Sequence, residues 1–167
     1  MMDAEILLWF QSIRTPFFNG LFLQISNLVW VLIVTGIILC MMEKTRRTGI
    51  YLLMSLLVCG VVNSFGLKFL FMRTRPFLAV EGLEHVGAIP MGSSFPSSHT
   101  ALAFAFAWMM LWLKPKKGIV LAFVIAILVA ISRMYLGVHY PSDVLAGVLV
   151  SALVSYLVYK GLQKTSV

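Results

Sequence analysis

The sequence predicts an all-α fold: a polytopic membrane helix bundle with five spans and an interfacial helix at its N-terminus. Of the 167 residues, 60% are apolar and 11% are charged, whereas about a quarter of the residues in soluble domains are charged. The apolar residues form five runs long enough to cross a bilayer. Basic residues cluster in short segments between these runs, as they do in membrane proteins. The length allows a single domain, residues 1–167.

The first predicted helix covers residues 3–14 and lies in the membrane interface. Ile6, Trp9, Phe10 and Ile13 recur at helical spacing on one face, with polar residues mostly off that face. Pro16 marks where this helix stops. The alternative is a sixth, short span.

The apolar runs set the positions of the five spans, of which the third is short and begins at the headgroup level. A long connection precedes that span, and its glycines and prolines indicate a functional or mobile loop instead of a further span. Cys40 and Cys59 fall inside apolar runs and are interpreted as small buried side chains, with no disulfide or metal site. The predicted spans are residues 21–42, 49–71, 96–113, 118–138 and 141–160, and the loop is 73–95.

The basic clusters predict the orientation in the membrane. With five spans, three basic groups fall on one side, which the positive-inside rule makes cytoplasmic. The net charge of +7 therefore reflects topology and does not indicate a nucleic-acid partner. The cytoplasmic groups are Lys44, Arg46 and Arg47, then Lys114, Lys116 and Lys117, and finally Lys160 and Lys164. The outer side receives Lys68, Arg73, Arg75, His99, Arg133, His139 and Asp143.

The first outer cluster runs from Lys68 to Pro76. Lys68 and Arg75 are seven residues apart, so a continuing helix would place them on one face. Pro76 puts Arg75 near the helix end. Snorkelling of cations to the interface explains Arg73 well and explains Lys68 less well, because Lys68 lies inside the apolar run.

The second cluster is Phe95-Pro96-Ser97-Ser98-His99. Pro96 is predicted to occupy the first helical position. The free backbone amides of Ser97, Ser98 and His99 would then point outward and could seat a phosphate. An ordinary capped helix start remains the alternative.

The third cluster contains Arg133, His139 and Asp143, with Pro141 starting the last helix. Asp143 is either only a charge at a helix N-terminus, or it accepts a hydrogen bond from one ring nitrogen of His139. The second arrangement would leave the other nitrogen free as a nucleophile.

Together the clusters suit a phosphoryl group. Three cations match the charge on its equatorial oxygens in the transition state. Few acidic residues are available to hold a divalent ion, so we expect a site without metal or cofactor. His85, in the long loop, is interpreted as an ordinary loop histidine, and a substrate contact is the less favoured alternative.

The three clusters resemble the signature of the type 2 phosphatidic acid phosphatase family, integral-membrane lipid phosphatases related to vanadium haloperoxidases. That signature reads Lys-x6-Arg-Pro, then Pro-Ser-Gly-His, then Ser-Arg-x5-His-x3-Asp. This chain matches every defined position except one, where Ser98 replaces glycine.

The resemblance implies a role for each matched residue. His139 would attack phosphorus and form a phosphohistidine, with Asp143 orienting it. His99 would protonate the leaving oxygen and then activate water. Ser132 is a weaker assignment, as a hydrogen-bond donor to phosphate or to a neighbour. The residues implied to bind phosphate are Lys68, Arg75, Ser97, Ser98 and Arg133.

The resemblance also implies a function. We expect hydrolysis of a phosphate or diphosphate monoester of a lipid at the outer face of the cell membrane. Undecaprenyl diphosphate and phosphatidylglycerol phosphate are the leading substrates, and membrane lipids are the expected partners. A non-catalytic lipid-phosphate binder or transporter is the alternative, although binding alone does not need a nucleophile. The membrane composition argues against a haloperoxidase.

Overall fold

The structure is a computed structural model that describes residues 2–115 and 117–164. Within these residues every regular element is helical, which confirms the predicted all-α class. A 3₁₀ turn, Glu43–Thr45, precedes the third helix, and a π-helical segment, Val62–Leu67, joins the third helix to the fourth. The helices are α1 (Met2–Ser12), α2 (Pro16–Met41), α3 (Arg46–Val61), α4 (Lys68–Phe71), α5 (Pro76–Ala79), α6 (Ser98–Leu113), α7 (Ile119–Tyr135) and α8 (Pro141–Lys164).

Three helical stretches are long and apolar enough to cross a bilayer: Pro16–Met41, Glu43–Ala79 and Pro141–Lys164. The helices α6 and α7 are also apolar but have only 16 and 17 residues. Large apolar side chains on the outer surface of the bundle are exposed, as expected where lipid is the solvent. The chain is therefore a multi-pass membrane protein.

The helix α6 lies at the centre of the bundle and packs against α3, α7 and α8. Its alanines from Ala101 to Ala107 are fully buried, and such small side chains allow membrane helices to approach closely. One close approach is at Gly147 of α8, where a Cβ atom would come within 3.0 Å of the carbonyl oxygen of Ser97. The first turns of α6 and α8 are thereby held side by side.

Two helix ends differ from the predictions. α6 begins at Ser98, with Ser97 as its N-cap in an extended conformation, so Pro96 does not occupy the first helical position. α4 ends at Phe71 because Met72 adopts a left-handed conformation with φ of 42°. Lys68 and Arg75 therefore do not lie on one continuous helix. By contrast, α8 begins at Pro141 as predicted.

On the predicted apolar face of the N-terminal helix, one residue packs against the protein and three are exposed. Phe10 packs edge-on against Tyr135, with ring centroids 6.3 Å apart. Ile6, Trp9 and Ile13 stay exposed by 41%, 58% and 45%, and they form the face available to lipid. The fully buried residue of α1 is Leu7, which packs against Leu83 and Tyr140.

Candidate active site

The three sequence clusters meet at one end of the bundle, where α4 and α7 end and α6 and α8 begin. His99, in the first turn of α6, interacts electrostatically with His139 and with all three predicted phosphate-binding cations: Lys68, Arg75 and Arg133. Residues far apart in sequence thus form one polar group at this end of an apolar bundle.

His139 lies between α7 and α8 and is 2% exposed. Its Nδ1 is 2.7 Å from the carbonyl oxygen of Ser94. Because a carbonyl oxygen only accepts, Nδ1 carries the hydrogen and Nε2 keeps its lone pair. Nε2 lies 3.4 Å from a terminal nitrogen of the Arg75 guanidinium. Burial lowers the pKa of His139 to about 4, an effect that Asp143 opposes and that Arg133 and Arg75 reinforce.

Asp143 is fully buried in the first turn of α8. Its Oδ2 lies 3.6 Å from Nδ1 of His139, which is too long for a hydrogen bond. The same oxygen accepts from the backbone amide of Tyr140 at 2.9 Å. The predicted hydrogen bond between the two side chains is therefore replaced by a close electrostatic contact, and Ser94 provides the hydrogen bond to the ring.

Backbone carbonyls of the long loop orient two of the cations. Lys68 donates to the carbonyl of Ser93 at 2.6 Å. Arg75 donates to the carbonyls of Met91 and Gly92 at 3.0 Å and 3.1 Å. These two side chains leave different helices and are brought together by consecutive residues of one loop.

Arg133 reaches the site from the last turn of α7. One terminal nitrogen donates to the hydroxyl of Ser26 on α2 at 2.6 Å. Its Nε has no hydrogen-bond partner within the described part of the chain. Arg133, His99 and Val138 line the same cavity of about 230 Å³. Arg133 and His99 therefore face one space that a ligand can enter.

The start of α6 differs from the expected phosphate seat at one amide. The backbone N–H of Ser97 donates to the carbonyl of Asp143 at 3.1 Å, so this amide is not free as predicted. The hydroxyl of Ser97 accepts from Thr100 at 3.0 Å. The amides of Ser98 and His99 head the helix, where no intrahelical acceptor exists. These two amides remain suited to an anion.

Ser98, the departure from the family pattern, fits the backbone without strain. It lies in α6 and is not among the residues with positive φ. Its hydroxyl accepts a hydrogen bond from Asn63 at 2.8 Å, and Asn63 also donates to the carbonyl of Pro96 at 3.4 Å. The additional side chain thus ties α6 to the π-helical segment.

Sequence reasoning missed several contributors, and Arg73 is the most informative. It donates to Oδ1 of Asp143 at 2.7 Å, so the interpretation as a snorkelling cation is wrong. Its place two residues before Arg75 was the only available signal.

Ser132 donates to the carbonyl of Val129 at 2.6 Å, which is a bond to a neighbour within α7.

His85 lies outside this polar group. The centre of its ring is 4.7 Å from that of Phe77, so its described contact is with α5.

Two further cavities lie along α3 and α4, and the first of them includes residues of the site. The first, about 550 Å³, is lined by Lys68, Arg75 and the apolar side chains of Phe69 and Leu78, among others. The second, also about 550 Å³, is almost entirely apolar and lies between α2, α3 and α6. Ser64 lines both cavities. Apolar side chains therefore line both the cavity at the cations and the cavity beside α3.

Comparison with known proteins agrees with this geometry. The profile of the PAP2 superfamily matches residues 48–166. An undecaprenyl-diphosphatase from Sulfolobus acidocaldarius is 32% identical over 143 residues, covering 83% of this chain and 68% of the relative. Two other curated relatives are matched over only 56% and 52% of their own lengths.

Two crystal structures share the fold. The first transmembrane PAP2-type phosphatidylglycerolphosphate phosphatase solved from Bacillus subtilis has a TM-score of 0.77 at 26% identity, over 99% of this chain and 86% of that one. Aquifex aeolicus LpxE has a TM-score of 0.81 at 27% identity, over 96% of both chains. With the profile spanning all but the first helices and both structures superposing on nearly the whole bundle, this chain belongs to the PAP2 superfamily.

Proposed function

We propose that this chain is a lipid phosphatase that hydrolyses a phosphate or diphosphate monoester through a phosphohistidine on His139. One observation carries the proposal: His139 is buried, its Nδ1 donates to Ser94, and its Nε2 lone pair faces the cations. Family membership supports the reaction class, since relatives include an undecaprenyl-diphosphatase and a phosphatidylglycerophosphatase B, although one is named a bacitracin transport permease protein.

In the first half of the reaction, Nε2 of His139 forms a bond to phosphorus while the bond from phosphorus to the leaving oxygen breaks. His99 donates a proton to that oxygen as general acid. The product is a lipid alcohol from a monophosphate, or a lipid monophosphate from a diphosphate. Asp143, 3.6 Å from Nδ1, stabilises the positive charge that the ring then carries.

In the second half, His99 removes a proton from water, and the water oxygen attacks phosphorus. The nitrogen–phosphorus bond breaks, its electron pair returns to Nε2, and inorganic phosphate leaves. Lys68, Arg75 and Arg133 bind the equatorial oxygens in both steps. The amides of Ser98 and His99 at the start of α6 add two further donors. The hydroxyl and amide of Ser97 instead hold α6 against α8.

The substrate is a lipid because of where the site lies. The helices α6 and α7 rise about 25 Å, which is less than the roughly 30 Å hydrocarbon core. Their catalytic ends therefore lie near the depth of the headgroups. The apolar side chains that line the two cavities sharing Ser64 are suited to a hydrocarbon tail. Undecaprenyl diphosphate and phosphatidylglycerol phosphate fit this description, and relatives are named for both activities.

The proposed topology has five spans and places the site on the extracytoplasmic side. The spans are α2, the stretch from α3 to α4, α6, α7 and α8, with α1 in the interface. The catalytic residues lie at one end of these helices, and the basic segments at Lys44 and Lys114 lie at the other. The positive-inside rule makes the basic end cytoplasmic. Lys116 belongs to the same basic group by sequence but lies outside the described residues.

The experiment compares phosphate release by purified wild type with release by His139→Gln and His85→Gln, on undecaprenyl diphosphate in detergent with EDTA. We expect release by the wild type and by His85→Gln, and none by His139→Gln. Phosphohistidine is lost in acid but persists in base. The reaction with ³²P-labelled substrate is therefore quenched with alkali, and the label that stays bound to the protein is measured. Tight binding of substrate without release would favour the alternative, a lipid-phosphate binder or transporter.

A further inference from the structure

We propose that Arg73 is a positioning residue for the reaction. With Asp3 and Ser142 it holds the Asp143 carboxylate beside His139. The inference rests on the proposed function, because it concerns how the nucleophile of that reaction is supported. Arg73 lies in neither of the defined positions of the first motif, and Asp3 belongs to the N-terminal helix α1.

The Asp143 carboxylate needs a positive partner because its side chain is completely buried. Its Oδ2 is shared between the amide of Tyr140 and the ring of His139. Its Oδ1 accepts from Arg73 at 2.7 Å. Each oxygen therefore has its own donor, and rotation of the carboxylate would break both sets of contacts.

Arg73 is itself fixed by a second set of contacts. The nitrogen that bonds Asp143 also donates to the hydroxyl of Ser142 at 2.8 Å, and the other terminal nitrogen lies 3.3 Å from Oδ2 of Asp3. The hydroxyl of Ser142 donates to that same Asp3 oxygen. The guanidinium carbon stands 3.9 Å from the centre of the Tyr140 ring, a cation–π arrangement.

These contacts make a chain of alternating charge: Asp3, Arg73, Asp143 and then the His139 ring. A planar guanidinium that contacts a carboxylate on each side has little freedom to turn. Loss of Arg73 would leave Oδ1 of this buried carboxylate without a donor, and only the contacts of Oδ2 would then hold the carboxylate in place. The expected result is slower formation of the phosphohistidine, with substrate binding little changed, because Lys68 and Arg75 have separate contacts to the loop.

A double-mutant cycle of Arg73→Gln and Asp143→Asn tests the proposal, with Arg47→Gln as a matched control. Arg47 is exposed at the start of α3 and contacts the ring of Tyr51, at the other end of the bundle. We expect Arg73→Gln to lower kcat by roughly ten- to a hundredfold, by analogy with the loss when a residue that orients a metal-ligating histidine is changed. KM should stay close to that of the wild type.

In the Asp143→Asn background, Arg73→Gln should cause little further loss, because a residue that acts through another adds nothing once that other is changed. Asp3→Asn should give a smaller loss of kcat than Arg73→Gln, and Arg73→Lys should restore part of it. Independent, multiplicative losses from the two substitutions, or a rise in KM alone, would overturn the proposal and make Arg73 a substrate contact.

Failure of the proposed function would be seen separately, in the wild type. If the wild type releases no phosphate from any lipid phosphate, that function is wrong. The Tm of each variant in the same double-mutant cycle is then measured in detergent. A non-additive effect of the two substitutions on Tm would support the chain of contacts, and additive effects would refute it.

Discussion

Nδ1 of His139 is closer to the carbonyl oxygen of Ser94, at 2.7 Å, than to the carboxylate of Asp143, at 3.6 Å. The tautomer that leaves Nε2 free is therefore set by the backbone of the long loop. Asp143 contributes mainly negative charge near the ring. The two tasks that a single carboxylate performs in other nucleophilic systems are divided here between two residues.

This division predicts a moderate effect of Asp143→Asn. Where the carboxylate alone sets the tautomer, its loss costs roughly ten-thousandfold in kcat, but with Ser94 in place we expect roughly a hundredfold. His139→Ala should abolish turnover. The measurement is kcat on a lipid phosphate, with His85→Ala as the control. A loss for Asp143→Asn as complete as that for His139→Ala would show that Ser94 does not hold the ring.

In the pH profile of kcat/KM, the decline on the acid side should occur at low pH. Burial lowers the pKa of His139 to about 4, so the proposed nucleophile stays neutral well below the usual histidine value of about 6.5. The part of kcat/KM that depends on His139 should hold as the pH falls through about 6.5 and should decline toward about 4. An inflection near 6.5 that vanishes with His139→Gln would contradict this.

The stability of the fold should also decrease as the pH falls, as kcat/KM does. Because the folded-state pKa of His139 is below the unfolded value, protonation favours the unfolded chain. The contribution of neutral His139 is fully present above about pH 6.5 and is lost progressively as the pH falls toward about 4. Tm measured in detergent across this range, with His139→Gln as the reference, checks the sign.

Gly137→Ala should destabilise the protein more than Gly82→Ala. Both glycines have φ of 73°, but a Cβ at Gly137 would lie 2.5 Å from the carbonyl oxygen of Glu84, whereas nothing lies within 4 Å at Gly82. The shared backbone strain costs on the order of 1 kcal/mol. The amount by which the fall in Tm for Gly137→Ala exceeds that for Gly82→Ala measures the clash alone. Equal shifts would show that the loop moves aside freely.

Glu84→Cys should report the sidedness of the site. Glu84 is exposed and lies on the loop that contacts His139 and the cations. In a background with Cys40→Ala and Cys59→Ala, this cysteine should react with an impermeant thiol reagent added outside intact cells. Lys44→Cys in the same background is the control and should react only after the membrane is broken. The reverse pattern would place the site in the cytoplasm.

Ser64→Phe should weaken long-chain substrates selectively. Ser64 lines both the cavity at the cations and the apolar cavity beside α3. A bulky side chain there should raise KM for undecaprenyl diphosphate by roughly tenfold, equivalent to about 1.4 kcal/mol. KM for a short-chain prenyl diphosphate should change little. Leu70→Phe adds bulk at an exposed position outside both cavities and serves as the control.

The helices and the family were predictable from sequence because both signals are local. Apolar runs predicted four of the five long helices to within five residues at each end, whereas the second run is divided in the structure into α3, a π-helical segment and α4. Motif spacing identified a family that the superfamily profile confirms. The expectation of a lipid phosphatase is likewise confirmed at the level of the family. The helix ends were less accurate, because Ser97 caps α6 and Met72 turns left-handed.

The contacts within the site were not predictable because they depend on how the long loop folds back. The backbone carbonyl of Ser94 accepts a hydrogen bond from His139, and the carbonyls of residues 91–93 accept from Lys68 and Arg75. Every residue type provides such a carbonyl. Arg73 was misread because a cation at a helix end usually needs no partner. Only the three-dimensional path of the chain after Met72 brings it to Asp143.

The use of carbonyl oxygens by the loop has an evolutionary consequence. Since Lys68 and Arg75 are held by main-chain atoms of residues 91–93, the side chains there can be exchanged while those bonds persist. Met91 and Ile89, exposed by 93% and 66%, can thus diverge under selection for new headgroups. Descendants of such a chain could acquire new lipid substrates by point mutation while inheriting the hydrolytic chemistry intact.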